Sequence, residues 1–178
     1  NAMKKSLLIL AVSVVIIFSN SLFNGFVGDD GFLIEQNTFF ETWSNVRFLF
    51  SPVYTIDPDA AFNLDNFNSG SVAYRPVLSL TYFLDHALWG KTPFGYHLQN
   101  VIWHALNVCL LFLVFSFSGL RSVQRVSFWA ALLFAVHPLT VEAVCSIGYR
   151  ADVLSVFFVL SGFLCYLLSK RGGAKGKQ

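Results

Sequence analysis

Four groups of residues in this 178-residue chain combine side-chain type and spacing in ways that support chemistry. The first is the adjacent pair Asp29 and Asp30. One carboxylate beside a substrate can act as a general base, and two together can ligate a divalent cation. Charges this close call for a cationic partner; the plainer alternative is a polar stop where a helix leaves a membrane. The second group is Tyr74-Arg75-Pro76, where the guanidinium fork suits a phosphate oxygen or a lipid headgroup. The third is His97, Asn100, His104 and Asn107, spaced 3, 4 and 3 apart and therefore on one helix face. Hydrogen bonds between helices are the leading reading there. A metal site is set aside, because the two histidines are two turns apart with no further ligand. The fourth is HPLTVEAVCSIGYRAD, residues 137–152, which concentrates His137, Glu142, Arg150 and Asp152. It reads either as a salt-bridge cluster or, since ionisable groups at a membrane default to function, as part of a site.

The elements that must position these groups belong in lipid. The chain is 55% hydrophobic, 17% aromatic and 12% charged, against roughly 25% charged in soluble domains. Its mean hydropathy is +0.59. A net charge of +2 argues against nucleic acid as a partner. Cys109, Cys145 and Cys165 show no metal or disulfide spacing and read as packing residues. The expected fold is an all-α integral membrane protein. Four transmembrane helices are expected over about residues 6–28, 95–120, 126–148 and 152–169. Two amphipathic interfacial helices, over 38–50 and 76–89, are expected within a first extracytoplasmic loop, 29–91. Between them, 53–74 reads as irregular loop. Residues 1–3 read as a vector-derived scar, 4–169 as a single membrane domain and 170–178 as a basic cytoplasmic tail.

Orientation follows the basic residues. Threading four spans places Lys4, Lys5, Arg121, Arg125, Lys170, Arg171, Lys175 and Lys177 on one side with none of the acidic residues. Both termini are then cytoplasmic, in an inner membrane if bacterial and the endoplasmic reticulum if eukaryotic. Asp29, Asp30, Arg75, Glu142, Arg150 and Asp152 fall together at the outer face. A sugar on a polyprenyl phosphate suits such a place, with its tail in lipid and its phosphate at the interface. Once an arginine neutralises it, the phosphate leaves without a general acid. One carboxylate can then take the proton of an acceptor hydroxyl, whereas glycoside hydrolysis recruits a pair.

The same residues carry a resemblance. Asp29-Asp30, the string YRPVLSLTYFLDHALWGKTPFGYHLQNVIWHALN at 74–107 and LLFAVHPLTVEAVCSIGYRADVL at 132–154 resemble the GT-C superfamily of membrane glycosyltransferases, in its protein O-mannosyltransferase-like TMTC branch. The resemblance implies an enzyme that transfers a sugar, typically mannose, from a dolichyl or other polyprenyl phosphate, with inversion, to an extracytoplasmic protein Ser or Thr hydroxyl or a glycan. It puts the general base on Asp29, with Asp30 its neighbour. It places Arg75, Glu142 and Arg150 near the cleft, and charge and position add His137 and Asp152 as substrate-binding candidates. A divalent cation at the aspartates is left open, and no other cofactor is expected. Members of the family have many more spans, often followed by tetratricopeptide repeats. The chain is therefore expected to be a fragment, or a reduced homologue that needs a partner or its own copies. The alternative function is a non-catalytic membrane module that binds lipid phosphate or assembles with partner membrane proteins. A small channel built on the 97–107 stripe ranks last.

Overall fold

The computed structural model describes residues 2–28, 30–35, 37–50, 75–118 and 123–175. Helix α1 (Ala2–Phe18) continues as a 3-10 turn, Ser19–Phe23. The change of pitch falls where serines bond back to the chain: Ser19 Oγ donates to the Ile16 carbonyl at 2.8 Å and Ser21 Oγ to Phe18 at 2.7 Å. Leu10, Val14 and Phe18 are buried, while Leu8, Val12 and Ile16 are exposed. A helix apolar on all sides is a helix for lipid.

Helices α2 (Pro76–Trp89), α3 (Pro93–Phe117), α4 (Val123–Val136), α5 (Thr140–Cys145) and α6 (Arg150–Lys175) follow. Helix α3 lies at the centre, packed on α1, α4 and α6. It runs antiparallel to α1, since Cys109 Sγ meets the Leu7 carbonyl and the His104 ring meets Phe18. It runs parallel to α6: Asn100 meets Arg150, Trp103 meets Phe157 and Asn107 meets Val153.

Among the described residues three helical stretches are long and apolar enough to cross a bilayer: Ala2–Phe23, Pro93–Phe117 and Arg150–Gly172. The expected four transmembrane helices are therefore corrected to three. The segment that fails is 126–148. Helix α4 stops at Val136, because Pro138 has no N–H to continue the ladder and crowds the preceding turn. The chain then turns through Thr140 N→His137 O at 3.0 Å and Val141 N→Pro138 O at 3.2 Å, and restarts as six-residue α5. The broken segment still returns the chain along α3. His104 Nε2 lies 3.5 Å from the Ala135 carbonyl, and Asn100 Nδ2 donates to the Val144 and Ser146 carbonyls at 3.2 and 2.9 Å. The start of α6 thus lies beside the start of α3. Apolarity was legible over 126–148; continuity was not.

A second correction concerns 38–50. In place of one amphipathic α-helix there are two 3-10 stretches, Phe39–Glu41 and Trp43–Phe50. Asparagines compete with the helical ladder: Asn37 Oδ1 accepts the Phe39 N–H at 2.8 Å and Asn45 Nδ2 donates to the Phe39 carbonyl at 3.0 Å. The irregular loop expected at 53–74 lies outside the described residues. Helix α2 starts at Pro76, as the sequence suggests. Its polar side faces inward, however: Ser79, Thr81 and Asp85 are buried with Tyr82 and Phe83, while Val77, Leu84 and Leu88 are exposed. Phe39, Phe40, Tyr82, Phe83 and Tyr96 close an aromatic core beneath the 3-10 stretches, with Phe40 and Phe83 edge-to-face at 5.0 Å.

Gly90, at φ +60°, ends α2 in a backbone region that side chains disfavour. Lys91 at this corner pairs with Glu41 at 2.8 Å, and that hydrogen bond holds the Glu41 carboxyl below its ordinary range. Gly95, one turn into α3, lies under Trp89: a Cβ there would come within 2.1 Å of the indole. Gly95→Ala is expected to displace the indole and cost about 1–3 kcal/mol. A lowered melting temperature in detergent together with shifted tryptophan emission checks this; an unchanged melting temperature would mean the corner is not tightly packed.

Candidate active site

The polar interior lies where α1 ends, α2 and α3 meet, and α6 begins. Gly28, at φ +59°, turns the chain in the segment that follows α1, shortly before Asp30. Asp30 is 1% exposed. Its Oδ1 accepts the Gly148 N–H at 2.8 Å and its Oδ2 the Val27 N–H at 3.4 Å. A Cβ at Gly148 would come within 3.3 Å of the Leu33 side chain, so the turn passes close against the segment after Asp30. Asp30 therefore ties the segment that follows α1 to the turn that opens α6. Asp29 lies outside the described residues.

Arg150 begins α6 and is 0% exposed. Its Nε donates to Asn100 Oδ1 at 2.6 Å. One terminal nitrogen donates to Thr81 Oγ1, Asp85 Oδ2 and Gln99 Oε1 at 3.0, 2.5 and 2.8 Å, and the other to the Tyr96 carbonyl at 2.9 Å. The guanidinium also lies over the Tyr82 ring at 4.8 Å. One side chain thereby joins α2, α3 and α6. Burying such a pair is expensive unless the remaining hydrogen-bonding capacity is met, and here five protein oxygens surround the cation. Burial pushes the Asp85 carboxyl up to about 6, against the pull of Arg150. Asp85 was not among the residues singled out from sequence. Its signal is a lone acid in the apolar run PVLSLTYFLDHALW, one turn after Thr81.

Tyr82 connects this network to Asp30. Its hydroxyl donates to the Ile147 carbonyl at 3.0 Å, one residue before Gly148. Burial pushes that hydroxyl up to about 12, with Arg150 opposing and with Asp30, Asp85 and Arg75 all within electrostatic reach. The polar stripe of α3 serves the same assembly. His97 Nε2 lies 3.4 Å from the Gly25 carbonyl, Asn100 holds 144–146 and Arg150, and Asn107 Nδ2 donates to Val153 at 2.8 Å. The stripe bonds α3 to its neighbours.

The other candidates separate into two places. Arg75 and Asp152 are both exposed and line one groove of about 340 Å³ between α2 and α6, walled by Val77, Leu154, Ser155 and Phe158. His137 is exposed on the turn between α4 and α5, where its Nδ1 accepts the Leu139 N–H at 3.2 Å, and Glu142 is exposed in the first turn of α5. So the structure gathers Arg75 with Asp152, and Asp30 with Arg150 through the 147–150 turn. It sets His137 and Glu142 apart from the groove. Among the described residues no three His, Cys, Asp or Glu side chains gather as metal ligands.

The chain is 38% identical over 168 residues to protein O-mannosyl-transferase TMTC3 of Mus musculus, covering 90% of this chain and 17% of that protein. It is 34% identical over 171 residues to protein O-mannosyl-transferase TMTC1 of Homo sapiens, covering 94% and 18%. A third match, 45% over 101 residues, is to protein O-mannosyl-transferase TMTC2 of Mus musculus, covering 56% and 12%. The chain is a relative of the TMTC proteins. It spans about a sixth of the length of the TMTC3 and TMTC1 relatives. No family model and no solved structure matches it. With its long apolar helices, this TMTC relative is an integral membrane protein.

Proposed function

We propose that this chain forms the base-bearing, donor-binding part of a glycosyltransferase that moves a sugar, mannose by analogy with the names of its relatives, from a polyprenyl phosphate to an extracytoplasmic protein Ser or Thr hydroxyl. The observation that carries the reading is the Gly148 N–H to Asp30 bond at 2.8 Å. It fastens Asp30, the sequence neighbour of Asp29, to the turn that opens α6, the helix whose first turn supplies Asp152 to the Arg75 groove. The orientation that fits has both termini cytoplasmic and this end of the bundle outside.

Asp29 takes the proton of the acceptor hydroxyl as its oxygen attacks the anomeric carbon. The bond from that carbon to the phosphate oxygen breaks, and its electron pair leaves with the phosphate. Arg75 neutralises the departing charge, so no acid is required. Asp30 fastens its own segment to the turn that opens α6. Arg150, engaged on every side by protein oxygens, braces the cleft from within.

The test is retention of radiolabelled polyprenyl-phosphate mannose by the chain in nanodiscs. Arg75→Ala is expected to weaken it about tenfold or more, the worth of a charge-assisted hydrogen bond. Equal retention by the variant would remove Arg75 from the donor site.

A further inference from the structure

We infer that Asp152 is a specificity-determining residue that sets the charge of the lipid phosphate the groove accepts, favouring a monoanionic polyprenyl phosphodiester over a dianionic diphosphate or monophosphate. The inference rests on the donor-site reading above and adds to it a reason for one class of donor. Among the residues lining the groove, Arg75 and Asp152 are the charged ones. No ion pair joins them to each other, since the described ion pairs are Lys91–Glu41 and Arg150–Asp85. Both charges are thus presented to a ligand. Asp152 sits in the first turn of α6, where the helix dipole favours an anion. Arg75 is the N-cap residue of α2, and its side chain makes no capping bond there. The walls are apolar and open: Val77 is 46% and Phe158 54% exposed, which suits prenyl units entering from the hydrocarbon.

Charge arithmetic then discriminates. Arg75 and Asp152 sum to zero. A sugar phosphodiester carries one negative charge, so the filled groove holds a net charge of minus one. A lipid diphosphate brings at least one more, and a phosphate monoester, whose second pKa is about 6, brings nearly as much. Beside hydrocarbon an extra unpaired charge a few ångströms from Asp152 is repelled strongly enough to matter about tenfold in affinity. The same repulsion expels the product: transfer converts the phosphodiester to a monoester, so the lipid gains charge when it has to leave.

The experiment uses the 178-residue chain in nanodiscs with farnesyl methyl phosphate, farnesyl diphosphate and inorganic phosphate as probes. The chain is expected to bind the diester more tightly than the diphosphate. Asp152→Asn is expected to shrink that ratio about tenfold, chiefly by tightening the diphosphate, and Asp152→Glu to preserve it. A ratio unchanged in Asp152→Asn, with both lipids still bound, overturns the inference and leaves the donor site standing. Failure of the wild-type chain to bind either lipid overturns both. Inorganic phosphate competing as well as the farnesyl probes shows a site for free anions and also overturns it.

Discussion

Arg150→Met is expected to cost about 3–5 kcal/mol, the largest single loss in the protein, because it leaves the Asp85 carboxylate buried without its cation. The side chain is 0% exposed and its partner Asp85 likewise. Asn100, Gln99, Thr81 and the Tyr96 carbonyl lose a donor in the same step. The charge, not the volume, accounts for the effect. The double variant Arg150→Met with Asp85→Leu is accordingly expected to recover most of the loss, since it removes both ions at once. Unfolding in mixed micelles with increasing SDS measures all three proteins. A single variant that loses under about 1 kcal/mol, the range of an exposed pair, would show that the network does not brace the bundle.

Asp29→Asn is expected to lower transfer by about 10²–10⁴-fold, the usual contribution of a general base, with the fold and donor binding unchanged. Asp30→Asn separates the neighbours. An asparagine there still offers an oxygen to the Gly148 N–H, so its effect is expected to be small, whereas Asp30→Ala removes the acceptor at 2.8 Å and releases the 147–149 turn. Initial rates with a polyprenyl-phosphate mannose donor and a Ser/Thr-rich peptide distinguish the three. Loss of turnover in Asp30→Asn with full activity in Asp29→Asn would move the base to Asp30.

The long apolar helices were legible because hydropathy and length are properties of sequence alone. The start of α2 was legible in Pro76, whose ring sets φ for a first turn. The α3 stripe was legible because a 3-4-3 spacing can only be a face. Pro138 signals a break, yet the apolar run around it masked the consequence: the chain returns along α3 in two pieces. The 3-10 stretches were hidden because Phe39, Phe40, Trp43 and Leu49 fit helical spacing, whereas Asn37 and Asn45 decide the backbone through bonds that spacing does not show. Asp85 was missed for a related reason. Its importance comes from a cation 65 residues away, and such pairing is a tertiary fact. The inward turn of the polar side of α2 belongs to the same class. With lipid outside, the polar residues are those that seek the interior, the reverse of a soluble helix.

The central claim is that the acidic pair and the Arg75 groove open at one extracytoplasmic face. Single cysteines placed by Asp29→Cys, Arg75→Cys and Asp152→Cys, in a chain whose Cys109, Cys145 and Cys165 are replaced by alanine, test it with a membrane-impermeant maleimide on sealed vesicles of known orientation. All three positions are expected to label from the extracytoplasmic side, and a cysteine at Lys5 or Arg171 only after the cytoplasmic side is opened. Labelling of position 29 and position 152 from opposite sides would contradict the account.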